Sequence, residues 1–354
     1  MASAYPSPPV NHITRSFTEL AATVRDTGLL RRAPLFYALY GVALTLALGG
    51  VVTGFVLLGD SWFQLLIAAA LGLVLTQVAF LGHEASHRAV LSTGPANDRL
   101  GRALSTVVVG ISHQWWMTKH TRHHANPNKR GADPDIDKDT ISFVEEDAAQ
   151  ARGVIRWITR RQGWLFFPLL TLEGLNLHYR SIVSLITQGS RRQRWTELPA
   201  IALHFGLYLI PVFAYLPLGM AFAFVGVQMA VFGVYMGASF APNHKGMALV
   251  PADARLDFLS KQVLTSRNIR GGWTMNILMG GLNYQIEHHL FPNMARPHLA
   301  HARAIVREHC RSIDMPYTET SLLESYSIVI AYLNRVGLAA RDPFDCPERV
   351  AMGR

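Results

Sequence analysis

Three short stretches concentrate imidazoles at helical spacing: His83-Glu84-Ala85-Ser86-His87, His120-Thr121-Arg122-His123-His124 and Gln285-Ile286-Glu287-His288-His289. Positions i, i+3 and i+4 share one face of a helix. His83 therefore aims with His87, His120 with His123 and His124, and Gln285 with His288 and His289. Pro127 and Pro292 follow the second and third stretches by three residues, where a proline ends a helix. Seven imidazoles arrayed in this way read as a metal site. One catalytic zinc takes three protein ligands and keeps an open position, so this set implies two metals. Nitrogen-rich sites with open positions suit iron, zinc or copper. Several imidazoles per metal, set at a membrane surface as argued next, point toward iron and oxygen activation, and the donor types alone leave two zincs open. The first stretch also satisfies H-E-x-x-H, in which a glutamate acts as the general base of a zinc protease. That reading leaves the other two stretches idle, so His83 and His87 are expected as ligands and Glu84 as a residue behind them or on the helix surface.

The elements that position these residues are apolar. Residues 35–58 and 62–81 run 24 and 20 residues without a charge, each long enough to cross a hydrocarbon core of roughly 30 Å. Residues 198–215 and 219–241 form a second pair, interrupted only by Leu216-Pro217-Leu218 and carrying His204, Pro211 and Gln228 as exceptions. The expected fold is an all-α integral membrane protein of four spans in two hairpins, with a cytosolic helical cap carrying the histidines. Lysine and arginine number 4 in residues 1–34, 16 in 82–197 and 13 in 242–354, with none in the spans or the outer turns. Positive residues mark the cytoplasmic side of short loops. Both termini and all three stretches are therefore expected in the cytosol, with His83 at the inner end of the second span.

Between the pairs, residues 104–112 and 164–177 are apolar but too short to span, and read as interfacial or buried helices. Residues 295–310 and 320–336 have the periodicity of amphipathic helices, the second through Leu322, Leu323, Tyr326, Val329, Ile330 and Leu333. The chain is expected to divide into an N-terminal segment, 1–34, partly disordered around Pro6, Pro8 and Pro9; a catalytic domain, 35–310; and a C-terminal helix and tail, 311–354. No secretory signal is expected in residues 1–34. Cys310 and Cys346 are the two cysteines; in the cytosol they imply neither a disulfide framework nor a sulfur-ligated metal. The net charge of +9 comes without a nucleic-acid recognition motif and fits anionic headgroups and a phosphate-bearing substrate better.

With these residues in view, the chain resembles the membrane-bound fatty acid desaturases, whose boxes follow HxxxH, HxxHH and [HQ]xxHH in that order. The resemblance covers roughly residues 35–310. The third box, within Gly280-Gly281-Leu282-Asn283-Tyr284-Gln285-Ile286-Glu287-His288-His289-Leu290-Phe291-Pro292, and the run Ser239-Phe240-Ala241-Pro242-Asn243-His244-Lys245-Gly246 are similar to the branch holding front-end, linoleoyl-CoA-type and actinobacterial acyl-CoA desaturases. The resemblance implies two iron ions that use O2 and two electrons to place a cis double bond in an acyl-CoA or acyl lipid. It implies His83, His87, His120, His123, His124, His288 and His289 as ligands, with His244 as the eighth. Gln285 stands where other members have histidine and, with His178 and Asn283, is a candidate ligand or hydrogen-bond partner of one. A related acyl hydroxylase or sphingolipid desaturase would use the same ligands. Electrons are expected from a separate ferredoxin or NAD(P)H-dependent reductase, because 34 residues are too few for a cytochrome b5 domain ahead of the first span. The site is a bacterial cytoplasmic membrane on this resemblance.

Other polar residues carry blander expectations. Asp133, Asp135, Asp137 and Asp139 imitate the start of an EF-hand, but Lys138 and Val144 occupy the positions that need glycine and glutamate. Asp133 or Asp135 is instead expected to orient a box histidine. Trp115 and Trp116 are expected as interface anchors ahead of tunnel lining, His12, His298, His301 and His309 at the surface, and Lys129, Arg130, Arg191 or Arg192 near a CoA or lipid headgroup.

Overall fold

A computed structural model describes residues 10–340, with side chains from 16 onward; Cys346, the prolines at 6, 8 and 9 and the last fourteen residues lie outside the described part. The described chain is mostly helical. After α1 (Val10–Asp26) come four helices long and apolar enough to cross a membrane: α2 (Pro34–Leu58) and α3 (Gln64–Ser86), then α10 (Arg191–Tyr215) and α11 (Leu218–His244). Each coincides with an apolar run read above, but α3 and α11 continue past their runs. Their extra turns carry His83 and His244, so the second and fourth long helices each deliver a candidate ligand on their own last turns.

The connecting segments are α4 (Gly94–Ala103), α5 (His113–Ala125), α6 (Glu145–Ala149), α7 (Gly153–Thr159), α8 (Gln162–Leu170) and α9 (Glu173–Gln188). The apolar stretch at 104–112 is a π-helix over Leu104–Val109 ended by Gly110 in the left-handed region at φ 85°, and that at 164–177 breaks in two between α8 and α9. Ser112 caps α5 by accepting from the Trp115 amide. Beyond α11 come α12 (Phe258–Leu264), α13 (Gly272–Leu278), α14 (Gln285–Leu290), α15 (Arg296–Ser312) and α16 (Leu322–Leu338). α5 and α14 end just before Pro127 and Pro292, as the prolines require. One two-stranded parallel pair, β1 (Asn268–Ile269) on β2 (Glu319–Thr320), joins the segment before the third box to the one before α16.

α3 is the centre of the packing. It lies along α2 and α11, and α11 also packs on α8, α9 and α16. Small residues set the closest approaches. A Cβ at Gly72 of α3 would fall 2.9 Å from the Gln228 carbonyl oxygen of α11, and one at Gly174 of α9 only 2.3 Å from that of Met229, so both positions need glycine. A second core under α1, α12, α14 and α15, including Leu259, Ile286, Leu299 and Val306, supports the third box from outside the long helices.

Candidate metal centre

The three boxes, far apart along the chain, come together in one place. His83 and His87 from α3, His120 and His124 from α5, and His288 from α14 form one group, and His123, His244 and His289 another. Within each, one ring nitrogen per residue lies within 4.8 Å of the others. The groups touch where the rings of His124 and His289 stack with centroids 4.2 Å apart. Every imidazole implied by the resemblance, His244 included, falls in one of the two.

The nitrogens converge to within a few tenths of an ångström of the distances a shared metal would set. Two nitrogens on one ion at bonds of about 2.1 Å lie roughly 3.0–3.4 Å apart for angles of 90–109°. His83 Nε2 and His87 Nε2 lie 2.9 and 2.7 Å from His120 Nε2, and His123 Nε2 lies 3.3 Å from His244 Nε2. His124 Nε2, His288 Nε2 and His289 Nε2 are buried without a hydrogen-bond partner among the described residues. Buried nitrogens are ordinarily paired, so this donor set fits metal ions. Burial also keeps the rings uncharged, as ligation demands. It lowers His87 to about 4 and, helped by neighbouring imidazoles, holds His120, His124, His288 and His289 well below the usual histidine value.

The two groups are supported differently. In the three-histidine group each Nδ1 has a fixed acceptor, which leaves Nε2 facing inward. His123 Nδ1 donates to Asp133 at 3.0 Å, His244 Nδ1 to the Thr265 carbonyl at 2.9 Å, and His289 Nδ1 to Gln262 Oε1 at 2.8 Å. Burial alone would lower His123, but Asp135 and Asp133 outweigh it and raise its affinity for a proton. Asp133 is fully buried and also accepts from the Asn128 and Asp135 amides, so the aspartate run is a loop folded around one carboxylate that orients a box histidine. Asp133→Asn is expected to lower metal retention and activity together by about 10- to 100-fold, read by metal analysis and an activity assay on the same preparation. In the five-histidine group, His83 Nδ1 and His124 Nδ1 have no partner among the described residues.

Gln285 lies beside the smaller group, its amide 2.9 Å from His244 Nε2 and its oxygen accepting from Asn243 at 3.2 Å. Asn283 is fully buried with both amide atoms unpaired among the described residues. His178 lies apart from both groups, its ring nitrogens 2.7 and 3.0 Å from the carbonyls of Gly174 and Val109. His204 likewise faces the Val107 carbonyl, and His113 is buried beside Ser86. His298 and His309 are half-buried on Leu29 and Ser16, and His301 is exposed.

Four supporting residues were invisible in the sequence. Gln262 bridges His289 Nδ1 and the His124 carbonyl. Asn268 accepts from the Ile286 amide and donates to Glu287, turning that carboxylate away from the histidines. Arg267, 1% exposed, gathers the end of α11: its guanidinium donates to the carbonyls of Pro242 and Lys245, and its amide to that of Asn243. Asn128 takes the His244 carbonyl. The last carbonyls of a helix need such partners, and here they fix the turn that carries His244.

Glu84 does not face the histidines. Both its oxygens are held by the Arg296 guanidinium, and Tyr37 donates to it at 3.0 Å. A general base needs a free oxygen within reach of the attacking water, so the protease reading of the first box loses its base.

A cavity of 480 Å³ opens against His120, His123 and His244. Trp116, stacked on His120 at 4.9 Å, lines it, which makes this tryptophan part of the cavity wall; Trp115 packs in the core around α3. Lys129, Arg130, Arg191 and Arg192 do not line it. Lys129 is turned to the Ala254 carbonyl and Arg130 to Glu146.

The family model for fatty acid desaturases matches residues 60–321. Among curated proteins, the chain is 27% identical over 348 residues to the Delta(8)-fatty-acid desaturase of Helianthus annuus, covering 94% of this chain and 75% of that one. It is 28% identical over 342 residues to the Delta(6)-fatty-acid desaturase fat-3 of Caenorhabditis elegans, covering 92% and 75%. Against the Acyl-lipid (9-3)-desaturase of Borago officinalis it is 26% identical over 349 residues, covering 94% and 77%. These sources lend no support to the bacterial membrane expected above. With the match running through all three histidine boxes and the long helices between them, the chain belongs to the fatty acid desaturase family.

Proposed function

We propose that this fatty acyl desaturase holds two iron ions, one in each histidine group, and inserts a cis double bond into an acyl chain lying in the 480 Å³ cavity. The balance is one CH2–CH2 unit, one O2, two electrons and two protons giving one CH=CH unit and two waters. The observation that carries the reading is the juxtaposition of eight convergent imidazoles with an apolar cavity. Iron bound there would supply O2 reduction and the oxidising power to break an unactivated C–H bond.

The chain's own residues do the rest. Neutral imidazoles present lone pairs without a proton to displace, and Asp133 fixes the ring of His123. Phe166, Leu170, Leu177, Met236 and Phe240 form a wall that excludes water and holds an extended chain. Positioning on that wall, rather than acid–base chemistry, selects the carbon attacked. The long helices form two hairpins, with the histidines and both chain ends on the cytosolic side where lysine and arginine concentrate. Residues 35–310 are the catalytic domain.

The first test is metal content together with total fatty acid profiling of cells expressing the chain. About two irons per chain and a new double bond are expected. Zinc with an unchanged profile would sink the reading. Electrons come from a separate ferredoxin or NAD(P)H-dependent reductase, so desaturation by the purified chain should require that addition; NAD(P)H-driven turnover without it would refute a separate donor.

A further inference from the structure

Two buried imidazoles that belong to neither metal group face each other: His178 of α9 and His204 of α10, with ring centroids 6.3 Å apart. His204 lies within the apolar run of a long helix, where a polar side chain must find its partner inside the protein. Both rings meet the same stretch of backbone, the π-helix that precedes α5. His204 Nδ1 lies 3.2 Å from the Val107 carbonyl and His178 Nε2 lies 3.0 Å from that of Val109. The last carbonyls of a helix lack intrahelical partners, and no main-chain amide among the described residues donates to either of these two. The Gly174 carbonyl, 2.7 Å from the other nitrogen of His178, is on α9 itself. The bond to Val109 is therefore the one that joins two elements.

The elements so joined flank the reacting space. α9 supplies one wall of the cavity through Glu173, Asn176 and Leu177, the last adjacent to His178, whereas α5 brings His120 and His123 to the same cavity. The π-helix runs into α5 through Gly110, Ile111 and Ser112 alone, so a shift of its last carbonyls is passed on to the second box. The start of α5 is held from the same side: Glu197 of α10 accepts from the Ser112 hydroxyl at 2.7 Å and from the Gln114 amide at 3.3 Å. The wider i→i+5 winding is rare and concentrates at functional sites.

We propose that His178, assisted by His204, is a positioning residue that sets which carbon of the acyl chain meets the metal centre, by locking the cavity wall on α9 to the segment that aims the second box. Adjacent carbons of an extended chain are roughly 1.5 Å apart, and a misplacement of about 1 Å changes a rate by roughly a hundredfold. Loss of the bond to Val109 therefore moves attack toward neighbouring carbons without removing a ligand. The role rests on the desaturase reading and adds to it the residue that fixes the double-bond position.

The test expresses the full chain and its His178→Leu, His178→Gln and His204→Leu variants in cells, locates the double bond in the host's fatty acids by mass spectrometry, and counts iron on the purified chains. His178→Leu is expected to raise the ratio of neighbouring-position isomers to the main product at least about tenfold while keeping its iron. His178→Gln, whose amide can still donate to Val109, should return the ratio to within about twofold of the wild type. His204→Leu frees only the Val107 carbonyl and should fall between. The isomer ratio is independent of how much protein folds, so a merely structural role would lower product and iron together and leave the ratio unchanged. That result, or a His178→Leu chain with wild-type isomers, would overturn the inference and leave desaturation standing. Should His178→Leu fail to accumulate, the ratio from His204→Leu decides; failure of both would assign the pair to folding alone and overturn the inference as well. A wild-type chain that forms no double bond would overturn the desaturase reading itself.

Discussion

Replacing His123 with alanine is expected to cut bound iron from about two to about one per chain and to reduce desaturation to background, a loss of at least about a thousandfold. The smaller group has three imidazoles, and His123 is the one whose outer nitrogen is fixed by a buried carboxylate. Its removal leaves His244 and His289, too few to retain an ion against water. The five-histidine group shares no residue with it, so one ion should remain. That asymmetry separates a local effect from general unfolding, which would release both ions. Metal analysis and a product assay on one purified sample decide the matter. Retention of two irons would mean that His123 is not a ligand.

The second large effect concerns stability. Arg296 and Glu84 are nearly inaccessible, with side chains 2% and 9% exposed, and they tie the start of α15 to the last turn of α3. Arg296→Ala strands a buried carboxylate with only the Tyr37 hydroxyl, a loss of about 3–5 kcal/mol. The thermal midpoint of the detergent-solubilised protein should drop accordingly. The double variant Arg296→Met with Glu84→Leu is expected to recover most of the loss, because an apolar pair of similar volume avoids the desolvation of two charges. It should also retain double-bond formation. A double variant that folds, keeps its iron and is inactive would restore a chemical role to Glu84.

The four long helices were legible because each is an uninterrupted apolar run of membrane length, and the ligand candidates because helical spacing makes a cluster visible within five residues. His244 has no such company. It stands alone at the end of α11, and only the resemblance brought it into view. The supports of the site were harder still. Gln262, Asn268 and Arg267 are single polar residues in a segment without periodicity, and each acts on a partner that the fold brings from elsewhere, such as Pro242 for Arg267. Glu84 meets Arg296 across 212 positions, a pairing that no local pattern encodes. The surroundings of the basic residues were hidden for a related reason: a lysine or arginine can be read from sequence, but whether it faces a carbonyl, as Lys129 does, or a glutamate, as Arg130 does, is decided by tertiary contacts. Trp116 is the same case, an aromatic at an expected interface that stacks on a histidine instead.

The capped end of α11 bears on any attempt to transplant this chemistry. The direction of His244 is stored largely outside its own helix, in Asn128, Thr265 and Arg267, which hold the turn and the ring by carbonyl contacts. A scaffold given the four long helices and the three boxes would possess the donors without their aim. The unremarkable stretch between α12 and β1 is therefore part of the minimum portable unit, and a redesign that treats it as a replaceable loop discards the alignment of one of its ligands.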